Sequence, residues 1–148
     1  MASFKKGALT ALGCAAFVYA AVYVDLVLRA RTAYLEGEKY MEWAAKPELK
    51  KAALEAELAE REKALRAEKL TAAELEQRLA LARFEHGERV KESSYKYAYV
   101  WYQTAVELFS PPDSKWVRLA REKLPVAKEL WKKELDAAKI PYKDYMLE

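Results

Sequence analysis

The chain begins with an apolar stretch over residues 7–28, in which only Thr10 and Asp25 are neither apolar, aromatic nor very small. As a helix with a rise of about 1.5 Å per residue, this stretch would be about 33 Å long, which matches the roughly 30 Å hydrocarbon core of a bilayer. The pattern predicts a single transmembrane helix over residues 7–28, preceded by a short tail over residues 1–6.

Three other interpretations of the apolar stretch stay open. A removable signal peptide would have an apolar core of about 7–15 residues and would be cleaved before the most apolar part, residues 17–24. A lipoprotein signal ending at Cys14 would need its leucine one position before Leu12. A buried helix of a soluble fold would have a similar composition.

Basic residues on both sides of the stretch bear on its orientation. Lys5 and Lys6, with a free N-terminus, favour a cytoplasmic tail under the positive-inside rule. Arg29 and Arg31 oppose this, but acidic residues follow them and a short tail is easily retained. We expect the N-terminus on the cytoplasmic side and the bulk of the chain on the opposite side.

Small residues recur four positions apart within the stretch, as Ala11 with Ala15 and Ala16 with Ala20. Such pairs allow a second helix to approach the backbone closely in a membrane. We therefore expect the transmembrane helix to pack against another protein helix through these four alanines.

The helical pattern continues past the apolar stretch. Residues 29–46 contain no proline and one glycine, Gly37, which predicts a juxtamembrane helical extension. Proline disfavours helix for the residue before it and is tolerated at the first position of a helix. The pair Lys46–Pro47 therefore predicts the first break.

Residues 47–92 alternate charges with alanine and leucine and predict a helical hairpin. Its first helix offers two acid-first i,i+4 pairs, Glu57 with Arg61 and Glu62 with Arg66, each contributing about 0.2–0.5 kcal/mol.

The reversal of this hairpin is expected near Leu70. Thr71 and Glu74 have the spacing of a capping box, in which side chain and backbone of the two residues bond reciprocally, and Leu70 can pack on Leu75 as a hydrophobic staple. One uninterrupted helix through Thr71 is the alternative.

Residues 93–148 form an aromatic-rich helix-turn-helix with a docking tail. Ser93 and Ser94 predict a restart of the helix, and Ser110–Pro111–Pro112 with Asp113 or Ser114 as a cap predicts the turn. Pro125 should kink the second helix.

Residues 95–109 are apolar or aromatic around most of the helix, which is more than one hairpin can bury. We expect the apolar side chains that this hairpin cannot bury to contact the first hairpin, the membrane surface or a partner protein. Aromatic anchors dominate protein interfaces, so we predict an interface that contains the following residues: Tyr95, Tyr99, Tyr102, Trp116, Trp131, Tyr142 and Tyr145.

The small residues Ala98, Ala105 and Ala120 lie among Tyr102, Phe109 and Trp116. With these residues, residues 93–138 resemble one degenerate tetratricopeptide-type helical hairpin. The family's first-helix positions are not all at their usual spacing, and no repeat of about 34 residues occurs elsewhere. The resemblance implies protein binding, while an ordinary amphipathic helical pair explains the same pattern.

Candidate chemistry is sparse. The chain has one cysteine and one histidine, so the sequence predicts no metal site and no cysteine- or histidine-based catalytic set. His86 lies on an apolar stripe and is interpreted as a packed, hydrogen-bonded histidine rather than a haem ligand. The four glycines never cluster into a phosphate loop, and a net charge of +3 gives no nucleic-acid groove. We expect no catalytic residue, no cofactor, no nucleic acid and no small-molecule substrate.

Asp25 is the one residue within the stretch that is charged at neutral pH, and a charge there is costly and suggests function by default. Because Arg29 follows four positions later, near the membrane boundary, a salt bridge is favoured over a proton relay.

Two functions fit these observations. The first is an all-α, single-pass accessory or structural subunit that docks on a larger membrane protein complex, for example a respiratory or other energy-converting assembly. The second is a free-standing tethered helical adaptor, or a homo-oligomeric coiled-coil spacer, that recruits soluble proteins. Both require the bilayer and protein partners.

Overall fold

The computed structural model describes the backbone of residues 2–147 and the side chains of residues 12–147. Within this part the protein contains α-helices and a short 3-10 helix but no strand, which confirms the all-α prediction. The helices are α1 (Ala2–Ala45), α2 (Pro47–Ala67), α3 (Ala72–Lys91), α4 (Ser94–Glu107), α5 (Lys115–Ala137) and the 3-10 helix Asp144–Leu147.

Helix α1 contains both the apolar stretch and its extension. It is long and apolar enough to cross a membrane, and its apolar window is not buried within the chain. Leu12, Phe17 and Tyr19 are 69%, 75% and 73% exposed, whereas Ala30 and Ala33 are buried. The apolar part is therefore not the core helix of a soluble fold. The predicted continuation of the helix beyond the stretch is confirmed.

Local sequence signals set the helix boundaries. Pro47 is at the start of α2, directly after Lys46. The predicted capping box is present at α3, because the Thr71 hydroxyl accepts from the Glu74 N–H and the Glu74 carboxylate accepts from the Thr71 N–H. Helices α4 and α5 also begin at hydroxyl caps, Ser93 and Ser114. Helix α5 continues through Pro125 as one element.

Helices α2 and α3 form the expected antiparallel hairpin. Leu65, Leu79 and Ala82 form a small core of its own, with Leu58 and Leu75 packed against it. This thin core matches the narrow apolar seam of the sequence.

Ion pairs connect α2 to α3 rather than running mainly along α2. Arg61 pairs with Glu85 at 2.5 Å and Arg89 with Glu57 at 2.5 Å. The predicted pair Glu62–Arg66 forms at 3.4 Å, but Glu62 also pairs with Arg83 across the hairpin at 2.7 Å. Glu57 and Arg61 thus take partners on α3, because the antiparallel approach places an opposite charge beside each of them.

The main core lies where α4 packs against both α1 and α5. Ala98, Tyr102 and Ala105 of α4 are completely buried. On α1, Gly37 permits the contact, since a Cβ atom at that position would lie 2.7 Å from Tyr102 Cδ1 and 2.9 Å from its Cζ. The extension of α1 is therefore a structural part of the folded unit.

Candidate docking surfaces

Three of the predicted interface residues belong to the chain's own core. Tyr99, Tyr102 and Trp131 are only 6%, 0% and 9% exposed, and the rings of Tyr99 and Trp131 lie 5.8 Å apart. Sequence reasoning assigned them to a partner because it did not foresee that α4 would be covered by α1 as well as by α5. Several of the aromatic side chains that were expected to contact a partner are therefore buried within the chain itself.

Tyr102 also makes a buried polar contact. Its hydroxyl donates to Glu38 Oε1 at 2.5 Å, and Lys123 Nζ lies 3.6 Å from the same oxygen. Burial raises the pKa of Tyr102 well above its ordinary value, and the adjacent Glu38 carboxylate adds to the effect. This group joins α1, α4 and α5.

Trp116 lies half-buried at the start of α5, against α1. Its ring centroid is 5.7 Å from that of Tyr34. The Arg31 guanidinium and the Lys115 ammonium lie 5.7 Å and 5.5 Å from its centroid, as in cation–π contacts. Trp116 is therefore partly accessible and surrounded by positive charge.

The C-terminal tail docks on its own chain through Tyr142 and Leu147, whereas Tyr145 stays exposed. Leu147 is buried in the main core, with Tyr142 packed against that core, and Lys132 Nζ lies 3.0 Å from Asp144 Oδ1. The hydrogen bond from Lys132 lowers the pKa of Asp144.

The docked tail leaves a small apolar area exposed. Tyr145, Met146 and Ile140 are 63%, 57% and 52% exposed. We call these three residues the tail patch. Tyr95, the remaining predicted interface residue, is half-buried against the main core.

A second exposed apolar area was missed by sequence reasoning. Leu81 and Phe84 on α3 are 51% and 66% exposed, and we call them the hairpin patch. They lie outside the stripe of Leu75, Leu79 and Ala82 that faces α2. Their position off that stripe was the available sequence signal.

The alanines predicted for packing in the membrane lie on the apolar part of α1. Ala15, Ala16 and Ala20 are exposed within the chain, as a helix partner would require. The side chain of Ala11 lies outside the described residues. Asp25 pairs with Arg29 at 2.7 Å, so the predicted salt bridge is confirmed.

His86 differs from its prediction. Its ring is half-buried between α2 and α3, but its Nε2 atom has no hydrogen-bond partner among the described residues. The expectation of a hydrogen-bonded histidine is wrong for this nitrogen. The adjacent cavity is only about 20 Å³ and is lined by charged side chains that include Glu57 and Arg61. In the described part of the chain, no three His, Cys, Asp or Glu side chains converge as a metal site would require.

A buried lysine on α2 connects the two helices of the hairpin. Lys50 is 8% exposed, and its Nζ donates to the carbonyl oxygens of Val90 at 3.1 Å and Glu92 at 2.5 Å. These carbonyls end α3, so Lys50 acts as a cap from another helix. Desolvation lowers the pKa of Lys50.

Tyr97 lies beside this cap and stacks on Tyr40 with the ring centroids 5.1 Å apart. A hydrogen bond to Glu92 is the main cause that raises the pKa of Tyr97 to about 12. Tyr40, Trp43, Lys50 and Tyr97 line part of a cleft of about 190 Å³ at the junction between the hairpin and α1.

Comparison of this chain with protein-family models, with curated proteins and with solved structures found no match. The tetratricopeptide-like character of α4 and α5 therefore stays a prediction.

Proposed function

We propose that this protein is a non-catalytic, single-pass accessory or structural subunit that docks on a larger membrane protein complex. The observation that carries the proposal is the continuity of α1. Its exposed apolar part continues without a break into the segment that packs against α4 and α5. An anchor joined in this way holds the folded helices at a fixed position near the membrane.

The tail patch is the surface that we assign to the partner complex. Tyr145 and Met146 are presented on a segment that Leu147 and the Lys132–Asp144 pair hold in place. A fixed aromatic side chain loses little conformational entropy on binding, and such residues are common anchors in interfaces.

The alternative function is a membrane-tethered adaptor that recruits soluble proteins through its hairpin. The exposed Leu81 and Phe84 favour it, because they lie on α3 away from the small core shared with α2. The two functions therefore use two different surfaces of the same molecule.

A matched pair of variants separates the two functions. Tyr145→Ala and Phe84→Ala each truncate an aromatic residue that is about two-thirds exposed, at 63% and 66%. Neither should unfold the chain, so helicity serves as the control. We would extract the tagged protein in mild detergent and determine its partners and stoichiometry by native mass measurement.

We expect a heteromeric complex of fixed stoichiometry that Tyr145→Ala weakens by about 2 kcal/mol or more and that Phe84→Ala leaves intact. Loss with Phe84→Ala alone would favour the adaptor. A monomer or a homo-oligomer in the native extract would contradict the accessory-subunit proposal.

A further inference from the structure

The loop between α4 and α5, residues 108–114, lies against the apolar part of α1. Pro111 and Pro112 line a groove of about 150 Å³ together with the α1 residues Tyr19, Val22, Tyr23 and Leu26. Phe109, which is partly buried against the main core, lines a second groove of about 240 Å³ with Leu28, Arg29, Thr32, Ala33 and Trp101. The apolar stretch of α1 ends at Leu28, and the loop contacts residues that come before Leu28, as far back as Tyr19.

The length of α1 determines where a membrane would lie relative to this loop. Residues 7–18, which precede the level of the loop contact, extend about 18 Å as a helix at about 1.5 Å per residue. A bilayer hydrocarbon core is about 30 Å thick. If α1 crosses the membrane, residues 19–26 are needed to complete the crossing, and the loop beside them lies at membrane depth.

The loop itself is suited to that depth. Residues 108–112 carry no charge, and Leu108 is 67% exposed. Pro111 and Pro112 have no backbone N–H, so the turn presents fewer donors that would lose hydrogen bonds on leaving water. An exposed leucine at a turn with few donors is costly in water and is stabilised in the apolar side of a membrane interface.

Positive charge surrounds the base of the loop. The neighbouring residues 25–31 and 107–121 contain five basic residues, Arg29, Arg31, Lys115, Arg118 and Arg121, and three acidic ones, Asp25, Glu107 and Asp113. Asp25 pairs with Arg29, and Asp113 pairs with Arg118 and Arg121, so Arg31 and Lys115 beside Trp116 supply the positive charge of these segments that is unpaired among the described residues. Trp116 lies between two of these cations. Tryptophan is enriched at the membrane interface, and Lys or Arg beside it interact favourably with anionic lipid headgroups.

We propose that the α4–α5 loop is a second membrane-contacting element, which inserts Leu108, Phe109, Pro111 and Pro112 into the lipid interface beside α1. The basic residues around Trp116 lie on the aqueous side of the inserted loop, where they bind lipid headgroup phosphates. This inference rests on the proposed membrane anchor. It adds that the folded helices sit directly on the bilayer instead of being held away from it by the extension of α1.

The single cysteine of the chain allows a direct test in purified, full-length protein reconstituted into phosphatidylcholine vesicles. A fluorophore on the natural Cys14 reports on the anchor. In a Cys14→Ser background, a fluorophore on Ser110→Cys reports on the loop, and one on Ala73→Cys, at the exposed start of α3, is the matched aqueous control. Quenching by nitroxide-labelled lipid is compared with quenching by a water-soluble quencher.

We expect lipid quenching at Cys14 and at position 110 to be severalfold greater than at position 73. Leu108→Asp should reduce lipid quenching at position 110, because a charged side chain disfavours insertion of the loop. It should leave quenching at Cys14 unchanged, because Leu108 is exposed and is not needed for folding. Lipid quenching at Cys14 with purely aqueous quenching at 110 would overturn the loop contact while leaving the anchor intact. Aqueous quenching at Cys14 would instead overturn the anchor.

Two further outcomes are decisive. Phosphatidylglycerol added to the vesicles should increase lipid quenching at position 110, and Lys115→Gln with Arg118→Gln should remove that increase. No change with phosphatidylglycerol would overturn the role of the basic residues. Protection of position 110 from the aqueous quencher only when a co-purified partner is present would show that the loop binds protein instead of lipid.

Discussion

At the residue scale, the contact between Gly37 and Tyr102 determines how closely α1 and α4 approach. A methyl group at position 37 would lie well inside the contact distance of the Tyr102 ring, and Tyr102 is completely buried, so its ring has no free space to move into. The position is therefore occupied by glycine because of packing, in the middle of a helix where glycine is otherwise unfavourable.

Gly37→Ala should therefore lower the free energy of unfolding by about 1–3 kcal/mol, because overpacking outweighs the gain in helix propensity. Gly87→Ala is the matched control, since a Cβ atom there meets nothing within 4 Å. It should raise stability by about 0.5–1 kcal/mol. Chemical denaturation in detergent measures both changes. Equal stabilisation by the two variants would contradict the packing role of Gly37.

The hydrogen bond from Tyr97 to Glu92 predicts how the stability of the protein changes at high pH. The folded state holds the Tyr97 proton more tightly than the unfolded state does, because the pKa is about 12 instead of its ordinary value of about 10. The stability that this proton contributes is complete below about pH 10 and is lost as the pH rises through about 12.

Ultraviolet absorbance of tyrosinate should accordingly show fewer ionised tyrosines at about pH 11 in the folded protein than in urea. Tyr97→Phe should reduce this difference by nearly one tyrosine, because at this pH Tyr97 is mostly protonated in the folded state and mostly ionised in the unfolded state. Identical titration curves in the folded and unfolded states would contradict the hydrogen bond between Tyr97 and Glu92.

At the scale of elements, the α2–α3 hairpin is a separate unit with a thin core that is attached to α1 near residues 40–54. Within the hairpin, Lys50 of α2 joins the two helices, since its ammonium group donates to the two carbonyl groups at the end of α3. Its burial is tolerated because both hydrogen bonds offset part of the desolvation cost.

Lys50→Met keeps most of the aliphatic stem but removes the donor, and it should destabilise the hairpin by about 1–3 kcal/mol. Lys51→Met is the matched control, because this neighbouring side chain is 69% exposed, and its effect should stay within about 0.5 kcal/mol. Hydrogen exchange of α3 amides measures the difference. Protection that is equal in the two variants would show that Lys50 does not cap α3.

At the scale of the whole molecule, α1 has two parts with different surroundings. Its apolar part is exposed, whereas its second part packs in the core of the folded helices. Buried residues of α1 begin at Ala30, whereas the residues around Phe17 and Val18 contact no core. A change in the apolar part should therefore alter membrane residence without unfolding the core.

The double variant Phe17→Arg with Val18→Arg tests this separation near the centre of the apolar stretch. Each arginine at the centre of a membrane helix costs about 2.5–3.5 kcal/mol on insertion scales. We expect the variant to leave the membrane pellet in a carbonate wash, while its helicity stays native. Val126→Arg, at a valine on α5 that is 49% exposed, should change neither property. Full retention of the double variant would contradict the anchor.

The sequence alone determined the helices and their ends. Proline at position 47 and the Thr71–Glu74 capping box act through contacts within a few residues, and both were recognisable in the linear pattern. The breaks before α4 and α5 were recognisable too, whereas the structure shows that Ser93 is a cap and that Ser114, not Asp113, caps α5. The length and composition of the apolar stretch were equally local properties.

Only the tertiary structure decided which helices pack together and which aromatic residues remain accessible. Helical periodicity shows that a face is apolar but does not identify the face that covers it. The face of α1 that covers α4 is set by the fit of Tyr102 against Gly37, which are distant in sequence, and the same closeness brings the Tyr102 hydroxyl to the partly exposed Glu38 carboxylate. That fit buries Tyr102, and the packing of α4 against α5 buries Tyr99 and Trp131, whereas Tyr145 and Phe84 stay exposed. Such fits depend on three-dimensional shape, which the periodicity of the sequence does not show.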